Sequence, residues 1–201
     1  MLTIHADSRG RALAVEGELI AATGTLPELS AAYPRARVRA WPGILMPGLV
    51  NVHGTELLEG AYHPDPREAD ELGTEPLTGA ALDAPALDDT RRGASARRGA
   101  QRMLAHGTVA AACEPLRHRV VRDAVQRTGL VLVDRADRPA GVPSLDPFAA
   151  GVPVVFAPAP RPGSAARFAV FDVPDEARLA ERGAGTCVAT VLAGRLVFRR
   201  R

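Results

Sequence analysis

Between positions 53 and 65 the chain gathers side chains that bind metals and move protons: His53, Glu56, Glu59, Tyr62, His63 and Asp65. Imidazole nitrogens and carboxylate oxygens are the usual ligands of a catalytic zinc, which keeps one coordination position open for water. A divalent metal, zinc or iron, held by His53, His63 and either Glu56 or Glu59 would act as a Lewis acid. It would lower the pKa of its bound water toward neutrality, which is the chemistry of hydrolysis. In that reading His53 and His63 are the metal ligands, and Glu56 and Glu59 are the catalytic carboxylates. A helical turn over 59–63 would put Glu59 and His63 on one side through their i,i+4 spacing. Two other readings of the same residues stand beside it. In one, His53 ends a buried strand while the acids solvate the loop that follows; in the other, the same place is a metal-free binding site.

The remaining candidates are weaker. His5 falls on a strand, while His106 and His118 fall at helix ends, where surface or capping roles are expected. Ser95 and Ser144 lack the G-x-S-x-G frame of a nucleophile elbow. No glycine-rich phosphate loop occurs. Asp146, directly before Pro147, reads as a turn aspartate. Cys113 and Cys187 lie in apolar surroundings without C-x-x-C spacing, so both are expected to be buried free thiols, as in a reducing compartment.

The elements that must position these residues follow from periodicity and punctuation. Leu2–Ala6, Ala12–Val15 and Leu19–Thr23 alternate as half-buried strands, separated by turns at Arg9–Gly10 and Glu16–Gly17. A short helix from Leu26 to about Tyr33 precedes a strand at Arg37–Trp41. The apolar density of Ile44–Val52 predicts one strand buried on both faces, as in parallel α/β sheets. The proline-rich segment 54–86 reads as a long ordered loop. A helix capped by Asp88 or Asp89 runs to Ala105 and stops at His106–Gly107. Strand Thr108–Cys113, helix Leu116–Thr128 and a buried strand Leu130–Asp134 follow, which amounts to roughly two βα units. After a Pro/Ala/Gly-rich connection, Arg167–Val173 is a strand and Asp175–Arg182 a helix. Cys187–Leu192 and Arg195–Arg199 then form a hairpin across Ala193–Gly194.

Composition narrows the partners. A formal net charge of +2 and 4% aromatic residues give neither the basic face nor the stacking surface that nucleic acid needs. All 25 basic residues are arginine. No segment approaches the length of an apolar membrane span, and the first residues lack the features of an export signal. The expectation is a cytoplasmic protein with a small-molecule substrate or ligand, no nucleic acid and no membrane. Association as a homo-oligomer, or docking to a complete enzyme, stays open.

Pro47-Gly48-Leu49-Val50-Asn51-Val52-His53 resembles the opening barrel strand of the amidohydrolase superfamily, whose signature continues into a His-x-His pair. Residues 15–24 resemble the family's N-terminal sandwich hairpin, 166–173 its return strand and 188–197 its closing hairpin. The resemblance is strongest toward imidazolonepropionase and aminodeoxyfutalosine deaminase. It implies a composite β-sandwich built from both chain ends, with barrel-type βα units between them, and hydrolysis of a non-peptide carbon–nitrogen bond in a small cyclic amide, amidine or aminopurine-like compound. On a strand, residues i and i+2 share a face, so His-x-His offers two imidazoles to one metal. Here His53-Gly54-Thr55 stands instead, and without lysine the family's carboxylated lysine is excluded. A whole (β/α)₈ barrel takes about 250 residues, against ~110 between Gly48 and the returning strands.

The fold expectation is therefore mixed α/β: a β-sandwich from residues 1–46 and 164–201, a reduced, incomplete barrel-like lobe over 47–135, and a connection over 136–163. Three functional classes follow: a metal hydrolase that rebuilt its site, a non-catalytic small-molecule binder, or an assembly partner.

Overall fold

The computed structural model describes residues 2–83 and 85–200. In chain order its first elements are β1 (Leu2–Ala6), β2 (Arg11–Glu16), β3 (Leu19–Thr25), α1 (Leu26–Ala32), β4 (Arg37–Ala40), β5 (Ile44–Pro47) and β6 (Leu49–Asn51). There follow α2 (Gly54–Leu58), β7 (Ala61–Tyr62), α3 (Ala69–Leu72), β8 (Leu77–Thr78), α4 (Asp89–Ala105), β9 (Thr108–Cys113), α5 (Arg119–Gln126) and β10 (Val131–Asp134). The chain closes with β11 (Val155–Phe156), β12 (Phe168–Phe171), α6 (Glu176–Arg182), β13 (Cys187–Leu192) and β14 (Arg195–Arg199). The fold is mixed α/β, and no sheet closes into a barrel among the described residues.

Two four-stranded sheets, ordered β3-β2-β1-β4 and β14-β13-β12-β5, make the sandwich. Alternation in β2 sends Leu13 and Val15 to one face, where they meet Phe168, Val170, Ala189 and Val191 of the facing sheet. The other face, with Ile4, Ala12 and Ala14, is covered by Leu29 of α1. A capping box between Thr25 and Glu28 starts that helix, with proline in its first turn.

His5 departs from the expected surface role. It is buried, its Nδ1 accepts a 3.1 Å hydrogen bond from Trp41 Nε1, and the Phe168 ring meets it edge-on at 5.0 Å. Burial, assisted by the charge of Arg39, lowers its pKa to about 4. The native state therefore keeps His5 neutral while the unfolded chain protonates it near its ordinary value of about 6.5. Stability from this group is complete above about pH 6.5 and is lost as the pH falls toward 4, at no more than about 1.4 kcal/mol per pH unit. Urea midpoints measured from pH 7 to 4 should fall more steeply in the wild type than in His5→Gln; equal slopes would refute the assignment.

Ile44–Val52 is two strands where the sequence predicts one. β5 pairs antiparallel with β12 in the sandwich, and after Gly48 the chain enters a second environment as β6, parallel to β9. A Cβ at Gly48 would lie 2.1 Å from Val109 Cγ1, so the crossing needs a residue without a side chain. The lobe sheet runs β10-β9-β6-β11: three parallel strands and one short antiparallel strand from the segment read as a bare connection. β10 is not buried as predicted; it is an edge strand whose Leu132 and Val133 are exposed. The α5 helix is also shorter than its apolar pattern suggests.

The segment 54–86 contains α2, the β7–β8 pair and α3, not a continuous loop. The α4 helix is capped at its start by Asp88, whose side chain accepts from Arg91 N at 2.7 Å, and is closed by His106 and Gly107, the latter at φ +74°. Its small residues Ser95, Ala96, Gly99 and Ala100 are buried, so the helix lies close against α2, β7 and β9.

Candidate functional site at the carboxyl ends of the lobe strands

The four nominated side chains come from one short stretch, but the structure sends them to different partners. His53 follows β6 and forms the N-terminal boundary of α2. Its backbone N–H is held by Asn51 Oδ1 at 3.0 Å, and its Nε2 lies 3.1 Å from the Ala140 carbonyl. A carbonyl can only accept, so Nε2 is the donor in that bond, and Nδ1 is buried without a partner.

Glu56 lies one turn further along α2 and meets Arg135, which follows β10. Arg135 Nη2 donates to Glu56 Oε1 at 2.7 Å and to Glu114 Oε1 at 3.1 Å, while Nη1 donates to the Val52 carbonyl at 2.6 Å. Burial pushes the Glu56 carboxyl up, but the Arg135 hydrogen bond and charge outweigh it and hold it below the usual range. The second oxygen, Oε2, is buried and unpartnered.

Glu59 is the remote cap of another helix. The α2 helix ends at Leu58 and β7 begins at Ala61, so the helical turn over 59–63 that would pair Glu59 with His63 does not form. Its carboxylate instead accepts from Arg117 N at 3.0 Å and from His118 N at 2.8 Å at the start of α5, and pairs with His118 Nδ1 at 2.8 Å. A carboxylate here complements the helix dipole. Burial raises its pKa, and these hydrogen bonds bring it below the ordinary value.

His63 follows β7 and points at α4. Its Nε2 donates to the Leu57 carbonyl at 2.7 Å, and its backbone N–H donates to Ser95 Oγ at 2.9 Å. Gly99 makes room for the ring: a Cβ there would meet Nε2 at 2.6 Å. Burial holds the imidazole below its ordinary pKa, reinforced by Arg102 and Arg98. His63 is therefore neutral, with an unpartnered Nδ1.

No group of three or more His, Cys, Asp or Glu side chains among the described residues is placed to hold a metal ion. The donor atoms explain why: His53 and His63 each use one nitrogen on a backbone carbonyl, Glu56 is neutralised by arginine, and Glu59 caps a helix. The residues nominated for zinc or iron therefore do not fit a shared metal centre. Burial raises both cysteine thiols to about 11, so neither supplies a thiolate at neutral pH. Asp146 is the turn residue it was expected to be, accepting from Phe148 N at 2.9 Å and from Ala184 N at 3.0 Å.

What the structure does assemble is a cleft of about 580 Å³ lined by Thr55, Glu56, Gly60, Glu114, Arg138 and Val142, among others. Glu114 and Arg135, which sequence reasoning passed over, directly follow β9 and β10. Charged residues at the carboxyl ends of parallel strands are the signal that could have found them.

No helix among the described residues is long and apolar enough to cross a membrane. A search of curated proteins finds no match. Solved structures that the chain matches in part include the A. niger ochratoxinase, at TM-score 0.44 and 19% identity over 66% of this chain and 31% of that one. N-isopropylammelide isopropylaminohydrolase from Burkholderia multivorans gives TM-score 0.44 and 21% identity over 71% of this chain and 39% of that one. Guanine deaminase from Bradyrhizobium japonicum gives 0.38 and 19% over 62% and 27%. The chain thus spans roughly a third of the length of the structures it matches. Residues 12–36, covering β2, β3 and most of α1, match the family model of the imidazolonepropionase-like composite domain of bacteria. Over that segment the chain is similar to the composite domain, in line with the resemblance read from its sequence.

Proposed function

We propose that the chain is an amidohydrolase-related protein that recognises a small nitrogen-rich ring, a cyclic amide, amidine or aminopurine-like compound, in the cleft at the carboxyl ends of β6 and β9. The observation that carries this reading is the pair of carboxylates there, Glu56 and Glu114, tied by Arg135 and lining a cleft where α/β sheets place their ligands. Ring N–H groups would donate to the carboxylates, Glu114 being the more exposed, while Arg138 takes a ring carbonyl. Because Arg135 already offsets much of the carboxylate charge, the cleft suits a neutral or singly charged ring. The role of this chain's own residues is to bind and orient.

Hydrolysis of a non-peptide carbon–nitrogen bond is the second reading, favoured by the match at residues 12–36. It requires water activation from groups supplied outside this cluster, by a second copy or a complete enzyme docked against the lobe. Titration calorimetry with adenine, cytosine and benzamidine, run beside an ammonia-release assay with and without added Zn²⁺ or Fe²⁺, separates the two readings. Saturable binding of one ring without ammonia release, weakened about tenfold in Glu114→Gln, is the expected result. Metal-dependent ammonia release would transfer the reading to hydrolysis, and no binding by any of the three would sink both.

A further inference from the structure

The chain from Arg135 to Asp146 contains no helix or strand, yet it is tied to the carboxyl end of β6 and supplies Arg138, Val142 and Pro143 to the lining of the strand-end cleft. Residues 136–138 and 140–142 are exposed, so packing does little to hold them in place. What holds them comes from two buried side chains at the end of β6. Asn51, 1% exposed, donates from Nδ2 to the Ser144 carbonyl at 2.8 Å while its Oδ1 accepts from His53 N. His53, also 1% exposed, donates from Nε2 to the Ala140 carbonyl at 3.1 Å. Among the described residues that is the one hydrogen bond made by the backbone of 136–141. The near end of the segment is fixed by Arg135 on the Val52 carbonyl, the far end by a turn in which Val142 N donates to the Ala150 carbonyl at 2.9 Å. Gly141 makes that turn at φ +85°, and a Cβ there would lie 2.2 Å from Ala150 O.

A binding wall without regular structure takes its shape from its tethers, and a wall ordered in advance binds more tightly than one that must be ordered by the ligand. We propose that residues 136–144 form a clasp over the strand-end cleft and that His53 and Asn51 are its positioning residues, holding Ala140 and Ser144 so that Arg138 and Val142 meet the bound ring. The inference rests on the reading of the cleft as a ring site. His53 acts through the clasp, not through contact with the ring. Arg138 is the polar group that the clasp delivers. Its Nε lies 3.5 Å from Glu56 Oε1 and its side chain is 74% exposed, so it is free to exchange that loose pairing for a ring carbonyl.

Cys113 and Cys187 are buried, so a nitroxide on Asp137→Cys, at an exposed position, labels the clasp alone, and one on Arg97→Cys labels α4 as a control. Electron paramagnetic resonance spectra are compared for the otherwise wild-type protein, His53→Leu, His53→Gln and Gly141→Ala, beside titration calorimetry of the unlabelled proteins with adenine, cytosine and benzamidine. His53→Leu removes the donor, whereas glutamine restores an N–H at similar reach. The label at 137, but not that at 97, should become more mobile in His53→Leu and return toward wild type in His53→Gln. Ring affinity should fall by about three- to tenfold in His53→Leu, the range of one neutral hydrogen bond. Gly141→Ala, which disturbs the exposed far tether, should show the same two effects, so the test stands even if His53→Leu folds poorly. Unchanged mobility at 137 in both variants, or unchanged affinity in a variant whose label is freed, would overturn the clasp while leaving the cleft a ring site. Equal losses in His53→Gln and His53→Leu would overturn it too, by assigning the effect to packing of the imidazole. Absence of binding by the wild type to all three rings would instead overturn the reading of the cleft, and the clasp's role in recognition with it.

Discussion

Arg135→Ala is expected to lower the folding free energy by about 2–4 kcal/mol, the range set by breaking a mostly buried ion pair and leaving one partner charged. The Arg135 side chain is 9% exposed and Glu56 14%, so water does little to replace the lost partner, whereas Glu114 at 45% contributes little. The Val52 carbonyl at the end of β6 loses its donor as well. For a chain of this length the change corresponds to a fall in Tm of roughly 4–16 °C. The Glu56→Gln/Arg135→Met double variant should recover at least half of the loss, because it removes both charges together.

The acid side of the stability curve gives an independent check. In the wild type, Arg135 holds Glu56 below its ordinary value despite burial. That stability is present above the unfolded-state pKa of about 4.3 and is lost as the pH falls through the lower native value. Without the hydrogen bond and charge of Arg135, burial weighs more heavily on Glu56, the native pKa rises, and less stability is lost from this group on acidification. Urea midpoints of the two proteins should therefore converge between pH 5 and pH 3. A gap that stays constant would show that the loss comes from packing and the Val52 hydrogen bond alone.

Gly48→Ala is the second large effect, with an expected cost of about 3 kcal/mol. The added methyl would stand 2.1 and 2.5 Å from the two Val109 methyls. Val109 is fully buried on β9 and, being β-branched, has little rotational freedom with which to give way. Gly48→Ala/Val109→Ala removes the clash, so the double variant should be more stable than the sum of the single changes predicts, by about 1–3 kcal/mol. Strict additivity would show that backbone conformation, not Val109, is what excludes a side chain at 48.

The sequence makes the sandwich legible because its evidence is local. Alternation in β1, β2 and β3, the turn at Ala193–Gly194 and the caps of α1 and α4 are each carried by a few adjacent residues. The lobe is less legible, because its errors are about neighbours. Val131–Asp134 is apolar enough for a central strand, yet only β9 lies beside it. Ile44–Asn51 is continuous in composition but divided between two sheets. The candidate site follows the same rule. Spacing brings His53, Glu56, Glu59 and His63 within eleven positions, but whether they converge is decided by Ala140, Arg135, His118 and Gly99, contributed from elsewhere in the chain. Glu59 illustrates the limit: nothing in its own neighbourhood announces a helix that begins some sixty residues later.

The apolar clusters do not respect the boundary between sandwich and lobe. Leu192 of β13 belongs to the packing around α4, α5 and β9, and Leu49 of β6 to that around β12. Thr190 adds a 2.6 Å hydrogen bond to the Leu104 carbonyl at the end of α4. Detaching the lobe would strip cover from the inner sheet of the sandwich, and pulling out the β13–β14 hairpin would open the floor beneath α4. Evolution can therefore trim or extend the rim of the lobe, but it cannot discard the lobe and keep the sandwich unless the sequence of β12 and β13 changes with it.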